Sequence, residues 1–221
     1  MQKTFLISTS LLSLLFFGAG CAWTNGTDSQ IPEVPAQTPA PAQTPAPALN
    51  PSPSETPVTP PVKTWSAPVV LPSAEIENKV VRISTAKGDI AFELFPKTAP
   101  LTVSNFVTLA NGGFYDNIIF HRREEGFVIQ GGDPSGNGTG GPGYAFADEL
   151  KDSYAYKRGI VAMANRGPDT NGSQFFIMLA DVPLPKNYSI FGRVISGMDV
   201  VDNIQIGDVM KKVTVDAAGK K

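Results

Sequence analysis

Proline constrains this chain more than any other residue. Of its 20 prolines, 13 fall between Pro32 and Pro72, and the other 7 are spread from residue 78 to the end. Each proline fixes φ and removes a backbone donor. The stretch "VPAQTPAPAQTPAPALNPSPSETPVTPP" repeats PAQTPAPA and has no hydrophobic period, so it favours extended polyproline II over helix or sheet. At about 3.1 Å per residue, some 50 such residues reach on the order of 150 Å when fully extended. Residues 22–75 therefore read as a disordered linker rich in Pro, Ala and Thr. It is either a spacer holding a domain away from a membrane or simple disordered filler.

What precedes the linker reads as an export signal. In "MQKTFLISTSLLSLLFFGAGC", Lys3 supplies the positive start, and Phe5 to Phe17 form an apolar run of 13 residues. That run is too short to span a bilayer comfortably. Gly18, Ala19 and Gly20 precede Cys21, the single cysteine of the chain. The segment resembles a bacterial lipobox, although Gly18 stands where leucine is commoner. The expectation is a lipid-modified Cys21 and an exported protein anchored to a bacterial membrane, facing the periplasm or the cell surface. Plain secretion with an incidental Cys21 is the alternative.

Charge follows the same division. From Ile76 onward there are 16 Lys and Arg against 16 Asp and Glu, a net of zero. A neutral domain lacks the electrostatic footprint of a nucleic-acid binder. One cysteine excludes a disulfide within the chain, and one histidine, His121, offers no imidazole partner for structural zinc. No metal or cofactor is expected. Nothing demands a second subunit, so a monomer is expected.

From residue 76 the texture is that of a packed domain. "KVVRIST" and "DIAFEL" alternate around Lys87-Gly88 and read as a hairpin. "TAPLTVSNFVTLANGG" reads as a helix capped by Thr98, with Pro100 in the first turn and Phe106, Val107 and Ala110 on one face. Strands are expected at 118–122, 127–130, 160–163, 175–179 and 189–194. A helix is expected in "GMDVVDNIQ", with Val200, Val201 and Ile204 inward, and a last strand in "KKVTVD". Many short strands and two helices suggest a mostly β, closed antiparallel barrel with helical plugs. "GNGTGG" and "GTGGPG" match a dinucleotide-binding pattern, but neither opens a helix. Asn25, Asn137 and Asn171 precede Gly-Thr or Gly-Ser and read as turns rather than glycosylation sites.

The motifs "FHRREEGFVIQGGD", "GNGTGG", "MANRGPDTNGSQFFIML" and "IFGRV", in that order and spacing, resemble a cyclophilin-type peptidyl-prolyl cis-trans isomerase. The resemblance covers about residues 78–216. It implies a closed eight-stranded antiparallel β-barrel with two capping α-helices. It also implies an enzyme that accelerates rotation about X-Pro bonds. The family's catalytic arginine falls on Arg122, with Phe127 and Gln130 on the next strand and Asn165 holding the substrate backbone. Substrate-binding positions fall on Val128, Gly138, Thr139, Ala164, Gln174, Phe176, Leu184 and Tyr188. Phe175 alternates to the opposite face and reads as core. Two departures stand out. "REEG" at 123–126 replaces a commoner apolar "VIPG" and reads as a solvated loop with little effect on chemistry. Pro183 lies where a tryptophan marks high cyclosporin affinity, so weak cyclosporin binding is expected.

The residue types suit such a reaction. Rotation about a peptide bond faces a barrier of about 18–20 kcal/mol from C–N double-bond character, and X-Pro bonds populate both isomers. No bond breaks. A guanidinium such as that of Arg122 can hydrogen-bond the pyramidal nitrogen of the twisted amide. Gln130 can orient Arg122. Phe127, Val128, Phe176 and Leu184 can form a dry pocket for the proline ring, where the arginine interaction strengthens. Asn165 can hold one side while the other rotates. His121 reads as structural, bonded to a neighbouring loop, and Asp133 as a turn former. The partners expected are proline-containing peptides and unfolded exported proteins. Two other classes fit less well: a module that grips proline segments without turnover, and a structural wall-spacer lipoprotein.

Overall fold

The structure, a computed structural model, describes residues 63–219. The expected signal segment, Cys21 and the linker as far as residue 62 lie outside the described residues. The elements are α1 (Ser73–Ile76), β1 (Lys79–Thr85), β2 (Gly88–Leu94), α2 (Pro100–Asn111), β3 (Ile118–Ile119), β4 (Arg122–Glu124), β5 (Val128–Gly131), β6 (Ile160–Met163), β7 (Phe175–Met178), β8 (Ile190–Ser196), α3 (Met198–Asn203), β9 (Val209–Met210) and β10 (Lys212–Ala217).

Eight of these strands form one antiparallel sheet in the order β10-β1-β2-β8-β6-β7-β5-β4. The ladders do not show the expected closure. The sheet curls as a half-barrel, and β4 and β10 are its two edges rather than partners. The edges are connected indirectly. β3 pairs with β9 in a separate two-stranded ribbon, and each runs on along the chain into an edge strand. The single strand expected at 118–122 is split for this reason. Ile118 and Ile119 pair with β9, whereas Arg122 pairs with Gln130 on β5. The buried Phe120 marks the change of partner.

The concave side of the sheet buries the main core beneath α2. Phe106 is its centre, stacked on Tyr115 at 4.7 Å and set edge-on to Phe92 at 5.6 Å and Phe175 at 5.5 Å. Val107 and Ala110 share that face of α2 and are buried, as are Val200, Val201 and Ile204 around α3. The start of α2 differs from expectation. Thr98 donates to the Phe95 carbonyl and does not cap. Instead the Glu149 carboxylate accepts from the N–H groups of Leu101 at 3.0 Å and Thr102 at 2.8 Å. A carboxylate from elsewhere in the chain thus meets the orphan donors and the positive end of the helix dipole.

The segment before residue 76 also touches the domain. Lys63 Nζ donates to the Gly112 carbonyl at 2.6 Å, and the Trp65 ring meets Phe114 edge-on at 5.5 Å. The Leu71 N–H donates to Ser104 Oγ at 2.9 Å. High proline content hid these anchors, because a proline-rich segment can lie extended on a surface without forming ladder hydrogen bonds.

Candidate active site

A second, smaller apolar cluster forms on the other face of the sheet. Val128, Tyr156, Ile160, Ala162, Phe176, Met178 and Ile190 are its buried members. Strand alternation separates the two faces: Phe175 is fully buried in the main core, while its neighbour Phe176 belongs to this cluster. Phe127, Ala164, Leu184 and Tyr188 pack partly buried against it. Six of the residues expected in the site therefore meet here, on β5 and the turn before it, on β7, and in the loops after β6 and β7. Phe176 sets its ring edge-on to Tyr188 at 5.4 Å. The Tyr156 hydroxyl donates to the Tyr188 carbonyl at 2.9 Å and accepts from the Tyr188 N–H at 3.0 Å. Burial pushes the Tyr156 hydroxyl up from its ordinary pKa, outweighing its bonds to Tyr188.

Arg122 stands at the rim of this cluster. Its Cζ lies 5.7 Å from the centre of the Phe127 ring. Register places Arg122 opposite Gln130 on β5, and Gln130 opposite Phe176 on β7. Arg122 Nη1 donates to Gln130 Oε1 at 3.2 Å, and Gln130 Nε2 donates to Gln174 Oε1 at 2.9 Å. Gln174 Nε2 then donates to the carbonyls of Gly138 at 3.0 Å and Gly140 at 2.9 Å. One relay of hydrogen bonds thus runs from the guanidinium to the glycine-rich rim.

Along that relay lies a groove of about 530 Å³ whose walls include Gln130, Gly138, Thr139, Ala164, Asn165 and Gln174. The site is therefore an apolar pocket beside a polar groove, with Gln130 and Gln174 between them. Ala164 is held to β7 through its N–H, which donates to the Gln174 carbonyl at 2.9 Å. Asn165 Nδ2 donates to the Asn187 carbonyl at 2.8 Å and to Asp148 Oδ1 at 3.3 Å.

Asp133 organises the rim. Its buried carboxylate accepts from the N–H groups of Ser135 at 2.7 Å, Asn137 at 3.0 Å and Gly138 at 2.6 Å. Burial alone would push this carboxyl up, but the backbone donors of Ser135, Gly138, Gly140 and Asn137 together hold it below the usual range. Gly132 makes the turn into this loop at φ +84°, and a Cβ there would lie 2.4 Å from the Ser173 carbonyl oxygen. Asn137 is a turn residue, with Oδ1 accepting from the Thr139 N–H at 2.9 Å.

Two expectations are corrected here. The His121 ring bonds no loop: both ring nitrogens are buried without a hydrogen-bond partner among the described residues. Burial pushes its pKa down; nearby Asp133 opposes this and Arg122 adds to it. "REE" is a solvated loop only from Glu125, which lies in the exposed turn after β4. Residues 122–124 form β4, and the Arg123 side chain, 13% exposed, donates to the Ile204 carbonyl at 2.9 Å. Sequence reasoning missed Arg166, which donates to the carbonyls of Gly138 and Thr139 across the groove. Its place directly after Asn165, inside a motif already singled out, was the available signal.

The fold is shared with the cyclophilins. The chain belongs to this family: the model described as "Cyclophilin type peptidyl-prolyl cis-trans isomerase/CLD" matches residues 80–219. A peptidyl-prolyl cis-trans isomerase of Helicobacter pylori is 48% identical over 140 residues, 62% of this chain and 86% of that protein. Peptidyl-prolyl cis-trans isomerase B of Bacillus subtilis is 50% identical over 129 residues, 58% of this chain and 90% of that protein. A Cryptosporidium parvum cyclophilin-type isomerase, solved in the presence of the dipeptide Ala-Pro, superposes with a TM-score of 0.58 at 40% identity. That match covers 62% of this chain and 98% of that one. The chain is accordingly a peptidyl-prolyl cis-trans isomerase.

Proposed function

We propose that this isomerase acts on X-Pro bonds of exported proteins as they fold, with Arg122 at its catalytic centre. The observation that carries the site assignment is the Arg122 guanidinium, bonded to Gln130 and poised over Phe127 at the mouth of the apolar cluster. The proline ring enters between Phe127, Val128, Phe176 and Leu184, with Tyr188 as an outer wall. There a planar amide is poorly solvated, and the twisted amide, its nitrogen lone pair localised, accepts a hydrogen bond from Arg122. Gln130 orients Arg122 through its carbonyl oxygen. Asn165 and Ala164 hold the peptide backbone along the groove, opposite Gly138, Thr139 and Gln174, so that one side stays fixed while the other rotates.

The context is carried by the sequence alone. Cys21 becomes the lipid-bearing N-terminus, and the proline-rich segment is a spacer between a bacterial membrane and the domain. The protein works as a monomer, and Pro183 leaves cyclosporin binding weak. Titrating an Ala-Pro peptide into the isotope-labelled full chain tests the site. Amide shifts should concentrate at residues 122–130, 164–165 and 174–176. Shifts confined to α2 and the opposite face of the sheet would contradict the assignment. Metabolic labelling with a palmitate analogue tests the anchor: label should appear on the wild type and vanish in Cys21→Ser, and an unlabelled wild type would remove it.

A further inference from the structure

Glu124 has no part in the site as assigned above, yet it touches the centre. Residues 122 and 124 lie on the same face of the edge strand β4, because alternate side chains of a strand share a face. Arg123 points the other way and is tied to Ile204 and Glu125. Glu124 Oε2 accepts a hydrogen bond from Arg122 Nη2, while Nη1 of the same guanidinium is given to Gln130. Both terminal nitrogens of Arg122 are therefore engaged. Glu124 is also paired in register with Val128, a buried member of the apolar cluster. A carboxylate thus sits at the pocket mouth, in contact with the one cation proposed to act on the substrate.

We propose that Glu124 is a specificity-determining residue, which through its ion pair with Arg122 disfavours peptides with an acidic residue next to the proline. This inference rests on the assignment of Arg122 above. The pair is half exposed, with 44% of the Arg122 side chain and 55% of the Glu124 side chain accessible. Such a pair is weak and displaceable, so an incoming peptide can share or replace it. An acidic peptide residue is attracted by Arg122 and repelled by Glu124. Removing the Glu124 charge leaves the attraction unopposed.

The test is a set of kcat/KM values for full-length wild type, Glu124→Gln and Glu124→Asp on three peptides carrying Lys, Ala or Glu before proline. Wild type should favour the Lys peptide over the Glu peptide. Glu124→Gln should move that ratio toward the Glu peptide by about threefold, the scale of one half-exposed charge. Glu124→Asp keeps the charge and should retain the wild-type order. The effect of Glu124→Gln should fade at 1 M salt, where the Debye length is about 3 Å. A Glu124→Gln variant that changes all three peptides by one common factor, or none at all, overturns the inference while leaving the site intact. An Arg122→Ala variant with undiminished activity removes the site assignment and this inference with it.

Discussion

Replacing Asp133 by asparagine tests whether the rim is held by one buried carboxylate. Oδ2 takes two backbone N–H groups, from Asn137 and Gly138, while Oδ1 takes that of Ser135 and faces the Gly140 backbone. An amide keeps only one acceptor oxygen. Whichever way it turns, its NH₂ faces backbone donors, those of Ser135 and Gly140 or those of Asn137 and Gly138. At least one charge-assisted bond is lost and the others lose their charge. At about 1.5–3 kcal/mol for a hydrogen bond to a charged group, Asp133→Asn should cost about 3 kcal/mol. For a domain of this size that lowers Tm by about 6–12 °C. Acid supplies an independent check. The Asp133 carboxyl is held below its unfolded value of 3.8 in the folded protein. A depressed folded pKa means that this contribution is complete above 3.8 and disappears as pH falls through the folded value. The stability gap between wild type and Asp133→Asn should therefore be constant at neutral pH and narrow in strong acid. Urea unfolding followed across pH measures both. A variant melting within about 1 °C of wild type, or a gap that does not narrow in acid, would refute the reasoning.

Other outcomes follow from the same geometry. Gln130→Ala breaks the relay between Arg122 and Gln174 and should lower kcat/KM by about tenfold, the effect of losing a hydrogen bond worth about 1.4 kcal/mol; steady-state assays with an unchanged Tm would show it. Glu149→Ala uncaps α2 and should destabilise the domain by about 1–2 kcal/mol, read by denaturant midpoint. His121 has a folded pKa below 6.5, so its neutral ring is favoured by folding. The stability it contributes is present above pH 6.5 and is lost as pH falls toward the folded value. His121→Gln should flatten that part of the stability profile between pH 7 and 5, measured by urea unfolding.

Much of this molecule was legible before any coordinates. The hairpin of β1 and β2, the α2 face of Phe106, Val107 and Ala110, and the alternation of Phe175 and Phe176 all follow from local periodicity. The motif resemblance placed Arg122, Gln130 and Phe127 near one another, and the register of β4, β5 and β7 shows how they meet. What escaped depends on distant partners. Thr98 has the residue type of a cap, but Glu149 reaches the helix start from 47 residues away. "REEG" has the composition of a loop, but pairing with β5 draws Arg123 and Glu124 into a strand and turns Glu124 onto Arg122. Closure could not be read from strand count, because it depends on whether two edge strands meet, and here β3 and β9 intervene. Trp65 and Leu71 were hidden among prolines, and only their contacts to Phe114 and α2 reveal them.

Exchange NMR on a short Ala-Pro peptide, with full-length wild type beside Arg122→Ala, tests the central claim most directly. Wild type should speed cis-trans exchange far beyond the slow uncatalysed rate, and Arg122→Ala should lose about 10²–10³ of that acceleration while still binding peptide. An Arg122→Ala variant that catalyses exchange as fast as wild type would contradict the account.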